Sequence, residues 1–192
     1  MELRKDLPVY LFESAKEWED WLHEHHDNIP AIWMKFAKKN TGATTVSYDE
    51  ALQVALCYGW IDGLINKYDE TYYVTRFTPR KSTSVWSKSN RALIERLIVE
   101  EKMQPSGLAI VEAAKANGRW QSAYDASKDM QIPEDFLKEL AKDKKAEEFF
   151  RSLNRANTYA IAWRLQTSKT PEIRAKRMKN LVSMMKRGEK LH

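Results

Sequence analysis

The hydrophobic pattern of this chain changes its period at Gly59, and this change limits the possible folds more than any other feature. Residues 48–56 carry apolar side chains at helical spacing, so one stripe of a helix would face a core. Residues 60–65 alternate between two faces, which is typical of a β-strand. A turn at 68–71 leads into a second strand at 72–78, which is rich in aromatic and β-branched side chains. The sequence therefore predicts a helix followed by an antiparallel hairpin.

The predicted helix has a start signal and a stop signal. Ser47 and Glu50 have the spacing of a capping box, in which each side chain binds the other residue's backbone amide. Gly59 stands where a left-handed residue after the helix is favoured. Glu50 and Cys57 share a side of the helix away from the apolar stripe. That side can be a polar wall with a thiol, or Glu50 can be only a cap while Cys57 packs as a small hydrophobic residue.

Asp62 is the one acidic residue on the first strand of the predicted hairpin, and it lies on the same face as Trp60. A carboxylate on an apolar face needs a partner, because an unpaired buried charge costs several kcal/mol. Arg76 and Arg80 are the nearest candidates in sequence. An acid and an arginine could line a cleft that recognises a polar ligand. Alternatively, Asp62 and Gly63 mark only a bulge or bend, and the acid and the arginine form a purely structural ion pair.

A second helix is predicted from Lys88 to about Met103, and Asn90 falls in its first turn. Trp86 stands at the entrance of this helix. An aromatic ring beside a helix N-terminus and two arginines could hold an anionic or planar ligand. The same tryptophan could instead act as a hydrophobic staple.

The rest of the chain completes an α+β prediction. A helix from Ser14 and a strand over 31–38 precede the central stretch, and the pattern is helical after the Pro and Gly of 104–107. We therefore predict a small antiparallel sheet packed by helices in residues 1–104. An all-helical region is predicted for residues 105–192.

Charge differs between these two regions. Residues 1–104 hold 14 Lys/Arg against 16 Asp/Glu, and residues 105–192 hold 18 against 11. The last predicted helix carries a lysine-rich face that could touch nucleic acid phosphates or simply be solvated. Arg174 falls in the apolar arc of that helix. Its partner could be Asp62 or Glu50 across a domain interface, or its side chain could extend to solvent.

Several functional classes are disfavoured. The N-terminal residues resemble no signal peptide, no apolar run is long enough to span a bilayer, and one cysteine cannot form an internal disulfide. These features lead us to expect a cytoplasmic protein. His23 and His26 lie one helical turn apart, but a polar helix end explains them better than a metal site does.

Particular motifs carry a resemblance to a known family. Residues 55–63, 76–80 and 86–90, with 164–172 and 186–190 near the C-terminus, resemble the YdeI or OmpD-associated family, often labelled bacteriocin-protection. The resemblance implies an antiparallel sheet packed by helices, loosely similar to YjbR and CyaY proteins. It also implies a link to antimicrobial-peptide tolerance, but it carries over no active site.

Three hypotheses follow. We favour a non-enzymatic stress or antimicrobial-tolerance protein that binds an unknown small anionic or polar ligand, or a protein partner, in a cleft. The alternatives are a nucleic-acid-binding module that uses the basic C-terminal helix, and an enzyme that uses Cys57 or an Asp62–Arg pair. Neither a cofactor nor a metal is predicted. The candidate cleft comprises Glu50, Cys57, Trp60, Asp62, Arg76, Arg80, Trp86, Asn90 and Arg174.

Overall fold

The protein has an α+β fold, seen in a computed structural model that describes residues 7–125 and 129–191. One compact unit contains the described residues up to Trp86 together with Asn90–Ser122. The other contains Ser87–Ser89 and the described residues from Ala123 onwards. The predicted boundary after residue 104 stays a prediction.

The helices and strands occur in the following order. The strands are β1 Val9–Tyr10, β2 Ile32–Ala37, β3 Trp60–Lys67 and β4 Tyr72–Pro79. The helices are α1 Ala15–His25, α2 Tyr48–Cys57, α3 Lys88–Val99, α4 Pro105–Ala116, α5 Glu134–Leu140, α6 Lys144–Arg151, α7 Arg155–Gln166 and α8 Pro171–Arg187. Within residues 7–125 and 129–191, none of the helices is both long and apolar enough to cross a membrane.

Helix α2 begins and ends as its sequence predicts. The Ser47 side chain accepts a hydrogen bond from the Glu50 amide, and the Glu50 carboxylate accepts one from the Ser47 amide. Gly59 follows the helix with φ of +77°, in the left-handed region that glycine adopts without steric cost. A β-carbon there would lie 3.1 Å from a side-chain carbon of Ile110, so close packing also favours glycine.

The four strands form one sheet in the order β1-β2-β4-β3. The β3–β4 hairpin is antiparallel, as predicted, with a register irregularity between Asp62 and Ile65. Strand β4 also pairs antiparallel with β2. Strand β1 adds a short parallel pairing, Val9 with Trp33, which the sequence did not predict because two residues show no periodicity.

Tryptophans connect the first helices to the sheet. Trp18 of α1 is fully buried and packs edge-on against Trp60 and Phe77. Its indole N–H donates to the Ala51 carbonyl oxygen at 3.1 Å, and the Trp60 indole donates to the His26 carbonyl oxygen at 2.9 Å. The indole N–H groups of Trp18 and Trp60 thus both have a partner, and α1 is fixed against α2 and β3.

The second unit has its own helical core. The last helix starts at the Thr170 cap with Pro171 in its first turn, and it ends at Gly188. Its buried side chains pack with those of the other helices in this unit. The core comprises Phe136, Leu140, Ala146, Ile161, Leu165, Leu181, Val182 and Met185.

Candidate functional site

Asp62 is held by a tyrosine rather than by an arginine. The Tyr48 hydroxyl donates to the Asp62 carboxylate at 2.6 Å. Burial first, and then the hydrogen bond to Asp62, raise the pKa of Tyr48 above its ordinary value, so the hydroxyl stays protonated. The predicted pairing of Asp62 with Arg76 or Arg80 was wrong.

Strand register explains this result for Arg76. Asp62 lies opposite Phe77, so these two side chains point to the same face of the sheet. Arg76 precedes Phe77 and therefore points to the other face, where its strand neighbour is Trp33. Arg76 is half-buried there. Asp62 and Arg76 consequently do not line the same cleft.

Arg80 and Trp86 do come together, but in the interior. The Arg80 guanidinium carbon lies 3.6 Å from the centre of the Trp86 ring, and Nη1 donates to the Val85 carbonyl oxygen at 3.2 Å. Trp86 packs in turn against Trp120, with ring centres 5.0 Å apart. Arg80 is only 6% exposed and Trp86 only 2%, so this cation–π stack stabilises the core and presents little surface to a ligand.

The remaining predicted residues are dispersed. Trp60 is buried in the aromatic core, and Asn90 is half-buried in the first turn of α3. Arg174 forms a two-point salt bridge with Asp135, at 2.6 and 2.9 Å, within its own unit. Its partner is therefore Asp135 in place of the predicted Asp62 or Glu50.

Glu50 and Cys57 are different, because both line a cavity in the first unit. This cavity, of about 420 Å³, is bounded by α1, α2 and the segment that joins α3 to α4. We call it the glutamate pocket. Its lining residues are Ala15, Glu19, Glu50, Gln53, Val54, Cys57, Leu97, Glu101, Lys102 and Gln104.

The glutamate pocket has excess negative charge. Glu50 is already engaged in the cap of α2, and Lys102 pairs with Glu100 at 2.7 Å. Among the residues that the structure describes, the Glu19 and Glu101 carboxylates form no hydrogen bond and no salt bridge, although the charge of Lys16 attracts Glu19. Two acidic groups are thus available to a ligand, and aliphatic side chains lie beside them.

Cys57 is placed for packing rather than for nucleophilic attack. Burial, and secondly the charge of Glu19, raise the pKa of its thiol to about 11. The thiolate is the reactive species, and a thiol with so high a pKa is protonated near neutral pH. No histidine lines this pocket within the described chain, so a base to activate the sulfur is missing there.

A close contact between α2 and α4 holds the side of the glutamate pocket on which Cys57 lies. Gly107 of α4 lies against the C-terminal end of α2, where a β-carbon would come within 2.1 Å of the Cys57 carbonyl oxygen. The same carbonyl accepts a hydrogen bond from the Gln104 amide at 3.0 Å. A side chain at position 107 would therefore separate the two helices.

Sequence reasoning missed Glu19, Glu101 and Gln104. They come from distant parts of the chain, and only the packing of α1 and α2 with the segment that joins α3 to α4 brings them to one cavity. Glu101 has φ of +57°, a strained conformation for a residue with a side chain, and no local pattern announces it. Gly107 inside a helix was the one available signal, since such a glycine often marks close packing.

Metal binding has no support in the described geometry. Among residues 7–125 and 129–191, no group of three or more His, Cys, Asp or Glu side chains could hold a metal ion. His26 instead hydrogen-bonds the Leu22 carbonyl oxygen through Nδ1 at 2.9 Å.

Two protein-family models match the chain. Residues 10–110, more than half of its length, match the family described as Domain of unknown function (DUF8412). The chain belongs to this family. Residues 129–188 match the family described as Bacteriocin-protection, YdeI or OmpD-Associated, which confirms the resemblance seen in the sequence. No curated protein and no solved structure shows a significant match.

The two matched regions are separate along the chain. Every residue that lines the glutamate pocket falls within 10–110, in the region of unknown function. Residues 129–188 lie in the second unit, with α5 to α8.

Proposed function

We propose that the protein binds a cationic amphipathic peptide segment in the glutamate pocket and thereby contributes to bacteriocin protection. The bacteriocin link comes from the family matched by residues 129–188. The observation that carries the binding proposal is a pair of carboxylates, Glu19 and Glu101, that form no hydrogen bond or salt bridge in the described chain and lie beside an apolar wall. The proposal describes a binding protein, and it assigns no reaction.

The negative charge of the pocket determines the sign of the charge that its ligand carries. Unpaired carboxylates at the edge of a partly enclosed cavity attract a cation more strongly than they would in open water, because the protein lowers the local dielectric constant. Lys102 does not cancel this attraction, since its ammonium group is engaged by Glu100. A lysine or arginine side chain therefore fits the rim better than an anionic group.

The apolar part of the pocket selects the remainder of the ligand. Val54 and Leu97 lie beside the glutamates. They offer surface to the aliphatic stem of a basic residue, or to an apolar neighbour in the same peptide. About 420 Å³ is within the range of small-ligand pockets and would accept one or two side chains of a longer peptide.

Cys57 adds a small polarizable surface to this wall. Its protonated state, which follows from the raised pKa, keeps it neutral beside the glutamates. A single buried free thiol also suits a reducing compartment, so the cytoplasm is our proposed location.

Peptide binding can test the proposal directly. The probe is a fluorescein-labelled amphipathic peptide of lysine and leucine, with the same peptide carrying glutamate in place of lysine as its counterpart. Fluorescence anisotropy should show binding of the lysine peptide only. The double variant Glu19→Gln/Glu101→Gln should weaken that binding about tenfold, because two charges that face the ligand are lost.

A matched double variant controls for net charge. Glu95→Gln/Glu112→Gln removes two exposed carboxylates of the same unit that lie outside the pocket. This control should bind the peptide like the wild-type protein. Equal weakening by both double variants would mean that overall charge drives binding, and the proposal would fail.

Cell survival tests the link to bacteriocins. Cells that lack the protein would be complemented with the wild-type chain or with either double variant, and then challenged with a cationic bacteriocin. The pocket variant should protect less than the control variant at equal expression. Equal protection by both would separate the pocket from bacteriocin protection.

A further inference from the structure

A second cavity, in the other unit, has the opposite charge. It lies between α7 and α8 and has a volume of about 350 Å³. We call it the arginine pocket. As far as the described residues go, it contains two arginines, an indole and an amide, and no acidic side chain. Its lining residues are Trp163, Arg164, Arg177, Asn180, Leu181 and Met184.

The positive charges of the arginine pocket are not neutralised. Arg177 donates to two neutral groups, the Arg164 carbonyl oxygen at 2.6 Å and the Ser168 hydroxyl at 3.4 Å. Within the described chain, the Arg164 guanidinium has no partner at all. Most other arginines of this unit differ in this respect, since Arg151 and Arg174 are paired with acidic residues.

An arginine that lines a cavity without a carboxylate partner is suited to bind an anion. A guanidinium presents five N–H donors in a planar fork that matches the oxygen atoms of a phosphate group. The half-buried position of Arg164 and Arg177 reduces competition from water. The two side chains therefore specify an oxyanion as part of the ligand.

Trp163 indicates the chemical nature of the rest of the ligand. Its ring is half-buried, and Tyr124 packs against it nearly at a right angle, with ring centres 6.1 Å apart. This contact fixes the orientation of the indole. Aromatic side chains next to arginines bind nucleobases by stacking, whatever the base.

We propose that α7 and α8 form a binding site for a nucleotide, either free or as one residue of a single strand. Arg164 and Arg177 bind its phosphate, Trp163 stacks on its base, and the Asn180 amide hydrogen-bonds the base or the sugar. The cavity volume lies at the small end of the range for ligand pockets and corresponds to one nucleotide rather than to a longer strand. The excess of 18 Lys/Arg over 11 Asp/Glu in residues 105–192 favours approach of an anion.

Calorimetric titration of the full chain tests this site. The probes are adenosine 5′-monophosphate, a short single-stranded oligodeoxyadenylate, inorganic phosphate and a peptide of glutamates. The nucleotide should bind about tenfold more tightly than inorganic phosphate, because stacking adds to phosphate contact. Tighter binding of the oligodeoxyadenylate than of the mononucleotide would identify a single strand as the source, and the reverse would identify a free nucleotide.

Arg164→Gln is the informative variant, since no hydrogen bond or ion pair in the described chain depends on this side chain. It should weaken nucleotide binding about tenfold or more, as expected for loss of a charged hydrogen bond. Arg151→Gln is the matched control, because it removes the same charge from an exposed side chain outside the cavity. The control should bind like the wild-type protein. Circular dichroism would verify that both variants are folded.

Tryptophan fluorescence gives a second readout. Nucleotide binding should quench emission, and most of that quenching should disappear in Trp163→Phe. Three results would overturn the proposal: neither nucleotide probe binds; Arg164→Gln and Arg151→Gln weaken binding equally; or the glutamate peptide or inorganic phosphate binds as tightly as the nucleotide.

Discussion

The two compact units hold cavities of similar size but opposite charge. The glutamate pocket measures about 420 Å³ and has two unpaired carboxylates, whereas the arginine pocket measures about 350 Å³ and has two arginines without acidic partners. Similar volumes thus indicate nothing about the ligand. The charged side chains that form no salt bridge indicate which ligand a cavity can bind, because a charge that is already paired is satisfied.

Arg174 and Arg164 show the same contrast within one unit. Arg174 was singled out in the sequence because it lies in the apolar arc of α8, and the structure pairs it with Asp135. Arg164 begins one of the segments that resemble the family and was not predicted as a site residue, yet it lines a cavity without a partner in the described chain. An arginine on an apolar helix face therefore indicates a structural ion pair here, and the ligand-binding candidate lies elsewhere.

The largest effect that we expect comes from Gly107, which builds the wall of the glutamate pocket. Gly107→Ala would place a β-carbon within 2.1 Å of the Cys57 carbonyl oxygen, a backbone atom that cannot move aside cheaply. We expect a loss of about 3 kcal/mol in the free energy of unfolding, measured by chemical denaturation.

Gly42→Ala is the matched control for this prediction. Gly42, unlike Gly107, has a positive φ, and a β-carbon there would meet nothing within 4 Å. Only conformational strain of about 1 kcal/mol should result. If both substitutions cost the same, α2 and α4 do not pack as closely as the structure indicates.

A smaller effect should appear in the pH dependence contributed by Cys57. The pKa of this thiol is raised from 9.0 to about 11 in the folded protein, so between these values the folded state holds a proton that the unfolded state has lost. Stability must then fall as pH rises through this window, by about 2 kcal/mol. Comparing denaturation of the wild-type protein and Cys57→Ala at pH 8 and pH 10.5 isolates this contribution. An equal decline in both proteins would contradict the burial of the thiol.

Part of this architecture could be predicted from the sequence and part could not. The caps of α2 and the β3–β4 hairpin depend on residues close together in the chain, such as Ser47 with Glu50, and these predictions are confirmed. The partner of Asp62 depends on strand register, which places it opposite Phe77 and so away from Arg76. Register follows from the turn and from the irregularity after Asp62; the sequence indicates where both lie, but it does not show which residues they bring opposite each other.

The two pockets could not be predicted from the sequence. Glu19 and Glu101 come to line one cavity only through tertiary packing, and Arg164 is notable only because its described neighbours leave it unpaired. A sequence shows which residues carry charge, but it does not show which charges remain unsatisfied after folding. That distinction is the basis of both binding proposals.

The smallest effect concerns the ion pair of Arg174. Its side chain is 35% exposed and that of Asp135 is 53% exposed, so water screens the pair and Arg174→Gln should cost only about 0.5 kcal/mol. Arg174 lowers the pKa of the Asp135 carboxyl, so this stabilisation is present above the ordinary carboxyl pKa and is lost as pH falls. A double-mutant cycle with Asp135→Asn should give a smaller coupling at pH 3 than at pH 7, and an equal coupling at both pH values would contradict this assignment.

Binding of both ligands to both pocket variants tests the opposite charge of the two cavities most directly. The lysine–leucine peptide and adenosine 5′-monophosphate would each be titrated into Glu19→Gln/Glu101→Gln and into Arg164→Gln. We predict that the first variant loses about tenfold in affinity for the peptide alone, and that the second loses as much for the nucleotide alone. Two variants that weaken both ligands equally, or neither, would contradict the account.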